Sequence, residues 1–410
     1  MARLIKENII TSIDIGTTKI CVLVARKMGD QIDIIGIGKS PSHGLKKGVV
    51  VDVAKTIKSI TEAVKEAEMM AGMAIESAYI GISGAHISSV NSSGMVSIKH
   101  GQIKQSDVDT VMEAAQAIAI GEDRQILHVM PQYFIINGTD QVQDPIGMHG
   151  VRLEVQAHII MGAVSSVQNL LNCCQSAGVT VNDIILEQLA SADAVLSEDE
   201  RELGVGMIDI GGGTSDIAFY KNAAVRHTMV LPVAGNHVTN DIAIGLRIMK
   251  SEAERIKKRY GFAIGSLIET EELVEVEMMQ GEDLQVVRLS DLVLIIESRM
   301  RELFGLVNAE IQKNNLQQFM TNGIVLTGGG SLLTGARELA EEIFDCPVRI
   351  GKPRVLFDLV ETLQSPLYAT GYGLLVHVLQ REKKVKKHLQ DEPLTRRVFE
   401  RMKSWVADFF

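Results

Sequence analysis

The chain has 410 residues, 46% hydrophobic and 22% charged, with only eight prolines. That length exceeds what one hydrophobic core supports, so two or more packed domains are expected and a mostly disordered chain is excluded. A formal charge of −10 leaves no broad basic face for phosphate neutralisation, so no nucleic-acid partner is expected.

In chain order, charges at Arg3, Lys6 and Glu7 interrupt what would have to be the apolar core of a signal peptide. No run approaches the roughly eighteen apolar residues of a spanning helix. Cys21, Cys173, Cys174 and Cys346 form neither a C-x-x-C pair nor a disulfide framework, and read as buried thiols in a reducing cytoplasm. Residues 9–15 and 20–24 read as strands, and the spacing of Val53, Ile57, Ile60, Val64 and Ala67 predicts a helix over 53–70. A second helix is expected over 107–120, capped by the Ser106 hydroxyl and stopped by Gly121. Between 86 and 159, Pro131, Asn137-Gly138 and Asp144-Pro145 punctuate a separate set of elements, which reads as an inserted subdomain.

The sequence Ile13-Asp14-Ile15-Gly16-Thr17-Thr18 returns as Ile208-Asp209-Ile210-Gly211-Gly212-Gly213-Thr214-Ser215-Asp216, each copy flanked by apolar strands. The α/β core therefore reads as duplicated. In each copy the Gly and Thr residues suit a tight turn between two strands, where backbone N–H groups and hydroxyls approach an anion. Two such turns can clamp a phosphate chain. Asp14 and Asp209 end strands that point into one cleft and suit a hydrated Mg²⁺, while Lys19 adds a cation. A lone D-I-G-T is an ordinary hairpin turn; two copies, with a third glycine turn at Thr327-Gly328-Gly329-Gly330-Ser331, point to nucleotide binding. No G-x-x-x-x-G-K-[ST] occurs, so this is not a P-loop protein.

These turns, with the 187–196 and 368–374 segments, resemble the actin, Hsp70 and sugar-kinase superfamily. Within it, Ser83-Gly84-Ala85-His86-Ile87, 128–134, Asp144-Pro145-Ile146-Gly147-Met148, Gly150-Val151-Arg152-Leu153-Glu154, 200–203 and 324–330 resemble the bacterial cell-division FtsA family over essentially the whole chain. The resemblance implies a two-lobed actin-like ATPase fold with an inserted α+β subdomain and a C-terminal amphipathic helix. It divides the chain into residues 1–85 and 160–200 for the lobe 1 core, and 86–159 for the insertion. Residues 201–230 and 305–380 then form the lobe 2 core, with a subdomain at 231–304, a linker at 381–393 and the terminal helix at 394–410.

By the same resemblance, Asp14, Gly16, Thr17, Thr18, Lys19, Asp209, Gly211, Gly212, Gly213 and Thr214 hold the phosphates of ATP and its Mg²⁺, with Asp14 and Asp209 nearest the metal. Gly328, Gly329 and Gly330 pack beneath the adenosine. Glu254, Lys257 and Lys258 match the segment that contacts adenine and ribose, although spacing alone reads them as a charged solvent face. Gly235 and Asn236 match a further nucleotide-contacting turn or form a plain surface turn. Glu187 matches the position that orients the attacking water, as base or outer-shell metal ligand, against the alternative of a helix-start carboxylate. Any hydrolysis is expected to be slow.

The last segment carries its own signal. On a helical wheel over 394–410, Leu394, Val398, Phe399, Met402, Trp405, Val406, Phe409 and Phe410 share one arc, and all the charged residues lie in the other. From Arg381 onward, nine Lys or Arg stand against five Asp or Glu, so this part is near +4 and the remainder near −14. Such a helix suits the surface of an anionic membrane; the alternative is packing on protein. The FtsA resemblance implies a scaffold that self-associates on the cytoplasmic face of the plasma membrane at the division site. It would bind the C-terminal peptide of the tubulin-like protein FtsZ and recruit later division proteins. Arg288, Arg299 and Arg301, beside an apolar helix, are the candidate anchors for that acidic peptide. The rival readings are a small-molecule kinase of the superfamily and a membrane-independent adaptor of the pilus-assembly type.

Overall fold

The computed structural model describes residues 8–29, 31–278, 284–354 and 361–391. The expected terminal helix, with Val398, Phe399, Met402, Trp405, Val406, Phe409 and Phe410, lies outside these residues.

Lobe 1 begins with β1 (Ile9–Ile15), β2 (Lys19–Met28), β3 (Gln31–Pro41), the small hairpin β4 (Leu45–Lys46) and β5 (Val49–Val50), helix α1 (Val53–Ala71) and β6 (Ser77–Ile82). The insertion follows as β7 (Ser88–Ser97), α2 (Gln105–Gln116), β8 (Arg124–Ile136), β9 (Asp140–Val142) and β10 (Arg152–Ala163). The chain returns to lobe 1 through α3 (Val164–Ser176) and β11 (Thr180–Leu186), then passes along α4 (Glu187–Val195) and α5 (Glu198–Leu203). Lobe 2 contains β12 (Val205–Ile210), β13 (Ser215–Lys221), β14 (Ala224–Leu231), α6 (Gly235–Leu246), α7 (Lys250–Tyr260), the hairpin β15 (Leu273–Glu277) and β16 (Leu284–Arg288), and α8 (Leu289–Lys313). It closes with β17 (Ile324–Thr327), α9 (Ala336–Phe344) and β18 (Val348–Ile350), before α10 (Ala369–Asp391).

The duplication is visible in the sheets. Lobe 1 has strand order β11-β6-β1-β2-β3 and lobe 2 has β14-β13-β12-β17-β18. In each, the motif strand pairs antiparallel with its hairpin partner and parallel with the next strand on its other side. Both central strands are buried through almost their whole length, as strands covered on two faces must be.

Helix α1 forms as its periodicity predicts, starting at an Asp52 carboxylate that accepts the Lys55 N–H (3.1 Å) and ending at Gly72 with φ 67°. It packs closely on β3 because Gly38 faces it: a Cβ there would stand 1.9 Å from the Ala63 carbonyl oxygen. Of the expected apolar stripe, Val53 is exposed, and Thr56 and Ser59 join the buried face instead.

Two expectations are corrected. The second helix starts two residues earlier than the Ser106 cap implies, at Gln105, where the Asp107 carboxylate accepts the Lys104 N–H (2.8 Å). It ends at Gln116, before Gly121. The segment expected as a linker from Arg381 is helical to Asp391. Its Lys, Arg, Glu and Gln residues are strong helix formers, and its start is tied to lobe 1 by Arg381–Asp183 and Lys27–Glu382 ion pairs.

The inserted sheet, β7-β10-β8-β9 with α2 on one face, has its own core around Ile103, Phe134, Leu153 and Val155. It belongs covalently to lobe 1 but docks on β14, the edge strand of lobe 2. Gln132 Nε2 donates to the Val225 and Arg226 carbonyls (2.9 and 3.0 Å), and Ser89 Oγ donates to the Thr228 carbonyl (2.8 Å). His158, only 1% exposed, sits between Asn91 Oδ1 (2.6 Å) and Thr228 Oγ1 (2.8 Å). Burial, and to a lesser extent His227, push its pKa down to about 3.

A depressed folded-state pKa means that below the ordinary value of about 6.5 the unfolded chain takes a proton that the native state refuses, so stability is lost as pH falls. At pH 5 this amounts to about 2 kcal/mol. Chemical unfolding at pH 7 and pH 5 should show a correspondingly smaller loss for His158→Gln than for the wild-type chain.

Candidate functional site

The two motif turns meet face to face. Each is closed by the same bond, Gly16 N–H to Lys19 C=O (3.1 Å) in lobe 1 and Gly211 N–H to Thr214 C=O (3.0 Å) in lobe 2. Threonines of one turn fit against glycines of the other. A Cβ on Gly212 would lie 1.8 Å from Thr18 Oγ1, and one on Gly213 would lie 2.4 Å from Thr17 Oγ1. Among the described residues the amides of Thr17, Thr18, Gly212 and Gly213 donate no hydrogen bond, so four N–H groups stand available to an anion.

Behind the turns lie the carboxylates. Register puts Asp14 opposite Cys21 and Asp209 opposite Asp216, and directly paired residues project to one face. Asp14, Asp209 and Asp216 are all nearly buried. Asp209 Oδ2 accepts from Ser191 Oγ (2.5 Å) and Thr370 Oγ1 (3.2 Å), while Gly328 leaves room for Oδ1, where a Cβ would intrude to 2.1 Å. Asp216 accepts from Ser83 Oγ, across the lobe boundary, and from Thr214 Oγ1 (3.1 Å). Glu187 opens α4, where the helix N-terminus favours negative charge.

Burial raises the pKa of Asp14 to about 6, with Lys19 opposing and Asp209 adding to the shift. Burial raises Asp216 to about 7, against the Ser83 hydrogen bond and with Asp209 adding. Asp209 is raised by burial, and Glu187 lies well above the carboxylate range through burial and then repulsion from Asp14, Asp216 and Asp209. Such a cluster attracts a divalent cation. Among the described residues no three acidic, His or Cys side chains converge tightly enough to hold an ion by themselves, so a metal would need ligands from water or a bound molecule as well.

The remaining predicted residues fall into supporting positions. Gly235 and Asn236 start α6 and donate to the Gly211 and Gly212 carbonyls (3.0 and 2.8 Å), fixing the lobe 2 turn. Lys257 donates to Thr239 Oγ1 (2.9 Å) and the Gly235 carbonyl (3.3 Å) and pairs with Glu254 (2.6 Å), which ties α7 to α6; Lys258 is largely exposed. A Cβ on Gly330 would strike Ile210, so this third turn is also a close backbone contact. Arg288, Arg299 and Arg301 lie apart from the cleft and are already paired, with Asp291, with Asp241 and Glu302, and with Glu297 and Glu342. Asp216, Ser83, Ser191 and Thr370 escaped the sequence reading. Asp216 was legible in principle, since it lies seven residues after Asp209, across a hairpin from it; the three hydroxyls are brought in by tertiary packing.

Residues 206–373 match the family model described as cell division protein FtsA, and residues 84–161 match the one described as the SHS2 domain inserted in FtsA. The chain is 44% identical to the cell division protein FtsA of Pseudomonas aeruginosa over 100% of both chains. The chain belongs to the FtsA family of cell-division proteins. The Escherichia coli FtsA is 37% identical over 99% of this chain and 97% of its own. Among solved structures, the PilM–PilN type IV pilus biogenesis complex matches with a TM-score of 0.65 and 17% identity, over 90% of this chain and 98% of that one. MreB5 of Spiroplasma citri bound to ADP matches with a TM-score of 0.56 and 17% identity, over 94% and 100%. The fold of this FtsA is therefore actin-like, with the family's inserted domain. No helix among the described residues is long and apolar enough to cross a membrane.

Removing one of four crowded carboxylates should relieve the fold. Asp216→Asn is expected to stabilise the ligand-free chain at pH 7.5 by on the order of 2 kcal/mol. In thermal melts, MgCl₂ should then raise the Tm of the wild-type chain more than that of the variant.

Proposed function

We propose that this FtsA binds Mg²⁺-ATP between its lobes, self-associates on the cytoplasmic face of the plasma membrane and tethers the FtsZ ring there, helping to recruit later division proteins. The observation that carries the nucleotide part is the apposition of two like turns, with free amides in front and four carboxylates behind. The chain's own residues supply the binding: turn amides and threonine hydroxyls face phosphate oxygens, and Lys19 adds charge. Asp14 and Asp209 would hold the metal through its water shell. Glu187, with its raised pKa, is suited to accept a proton from a water. The metal, when bound, neutralises phosphate charge. The ADP carried by the MreB5 structure supports the same reading.

The membrane part rests on the amphipathic arc of 394–410 and its basic opposite face. The peptide-docking part is assigned to 231–304, where Ile244, Met249 and Leu294 expose apolar surface. Because Arg288, Arg299 and Arg301 are engaged internally, an acidic peptide would have to exchange with their present carboxylate partners.

Co-sedimentation with phosphatidylglycerol-containing vesicles in the presence of ATP should retain the full chain and lose a chain truncated after Glu392. Equal behaviour of the two would mean that the apolar stripe serves protein packing. For docking, Arg299→Glu combined with Arg301→Glu should weaken binding of an FtsZ C-terminal peptide. Unchanged affinity in a variant that melts normally would remove these arginines from the interface.

A further inference from the structure

Register across lobe 1 aligns a residue that none of the motifs contains. Asp14 on β1 pairs with Cys21 on β2, which pairs with Lys39 on β3. Directly paired residues share a face, so Lys39 extends the row that begins at the cleft carboxylate. The start of α10 covers this row: a Cβ at Gly371 would lie 3.7 Å from Asp14 Cβ and 3.9 Å from Cys21 Sγ. One turn earlier, the nearly buried Tyr368 presents its ring to two ammonium groups. Lys19 Nζ is 4.5 Å and Lys39 Nζ 4.8 Å from its centroid. Lys19 Nζ also donates to the Leu367 carbonyl. Among the described residues neither ammonium is ion-paired with a carboxylate.

Two cations held at one aromatic ring repel each other, and among the described residues neither has a carboxylate in ion-pair contact: Asp14 and Asp209 act on Lys19 only at longer range, and the Glu66 carboxylate beside Lys39 accepts the Lys39 backbone N–H (2.5 Å) instead. A ring face offsets only part of that cost. A polyanion entering the cleft beside Lys19 would relieve it. We propose that Lys39 is a second phosphate-binding cation of the cleft, and that Tyr368 is the positioning residue that holds Lys19 and Lys39 together for a nucleoside triphosphate. This rests on the reading that the cleft binds a nucleotide, and adds to it a charge-reading residue on β3.

The contribution of an ammonium grows with ligand charge, so the loss on removing it should be graded. With the full chain and titrations of ATP, ADP and adenosine, Lys39→Met should weaken ATP by about 3-fold, the scale of an exposed charge contact. ADP should weaken less and adenosine not at all, and the losses should shrink in high salt. Lys65→Met, on the exposed face of α1, is the control for a generic change in charge. Tyr368→Leu should reproduce the graded loss and Tyr368→Phe, which keeps the ring, should restore binding. If Tyr368→Leu fails to fold, Lys39→Met still decides the question. Equal ATP and ADP affinities in Lys39→Met and wild type would overturn the inference while leaving nucleotide binding intact. A wild-type chain that binds none of the three ligands would overturn the nucleotide reading itself, and this inference with it.

Discussion

Four carboxylates share one low-dielectric cleft, and much of the structure around them can be understood as holding them there. Unpaired buried charge is costly, and a group that cannot find a cation must find hydrogen-bond donors or take a proton. Here the donors are hydroxyls: Ser191 and Thr370 on Asp209, Ser83 and Thr214 on Asp216. They come from different elements, α4, α10, the end of β6 and the lobe 2 turn. The same bonds that make the carboxylates tolerable therefore also fix the two lobes and the two central helices relative to one another. Gly373 reinforces this by bringing α10 against the Ala190 carbonyl of α4, where a Cβ would come within 1.9 Å.

The duplicated halves have diverged where chemistry requires it. Superposing the motifs sets Lys19 of lobe 1 against Thr214 of lobe 2, and Cys21 against Asp216. Lobe 1 thus supplies cationic charge at its turn, and lobe 2 supplies a second acid behind its own. Cys21, raised to about 11 chiefly by burial, is a neutral spacer between Asp14 and Lys39. One hairpin design serves both sides because the backbone does the anion binding and only the neighbouring side chains set the sign of the local field.

The inserted domain gives the actin-like frame a third tie between the lobes. It covers β14, a lobe 2 edge strand whose exposed backbone would otherwise invite strand addition, and it does so with side-chain donors to the Val225, Arg226 and Thr228 carbonyls. Its root, Ser83, touches Asp216, and its sheet touches Thr228, two residues that lie on the paired strands β13 and β14. A change at the cleft and a change at the insertion are therefore connected through one short hairpin of lobe 2.

Much of this was legible without coordinates. Motif repetition identified the duplication, the two turns, and the roles open to Asp14, Lys19 and Asp209, because a turn's chemistry is local and its residues are contiguous. Periodicity identified α1 and most of its inward face, Ile57, Ile60, Val64 and Ala67, but included the exposed Val53 and missed Thr56 and Ser59. Composition mistook the charged but helix-forming start of the segment after Arg381 for a linker. The sequence could not disclose that Arg299 and Arg301 are neutralised from other helices, that Ser83 crosses to Asp216, that His158 is enclosed against Thr228, or that Lys39 shares a ring with Lys19. Those facts belong to pairs far apart in the chain, and only packing and strand register decide which distant groups meet. The sequence by itself determined the turns and their chemistry; the tertiary structure decided which charges are buried, which are paired and which remain free, because burial and long-range contact are properties of the folded whole.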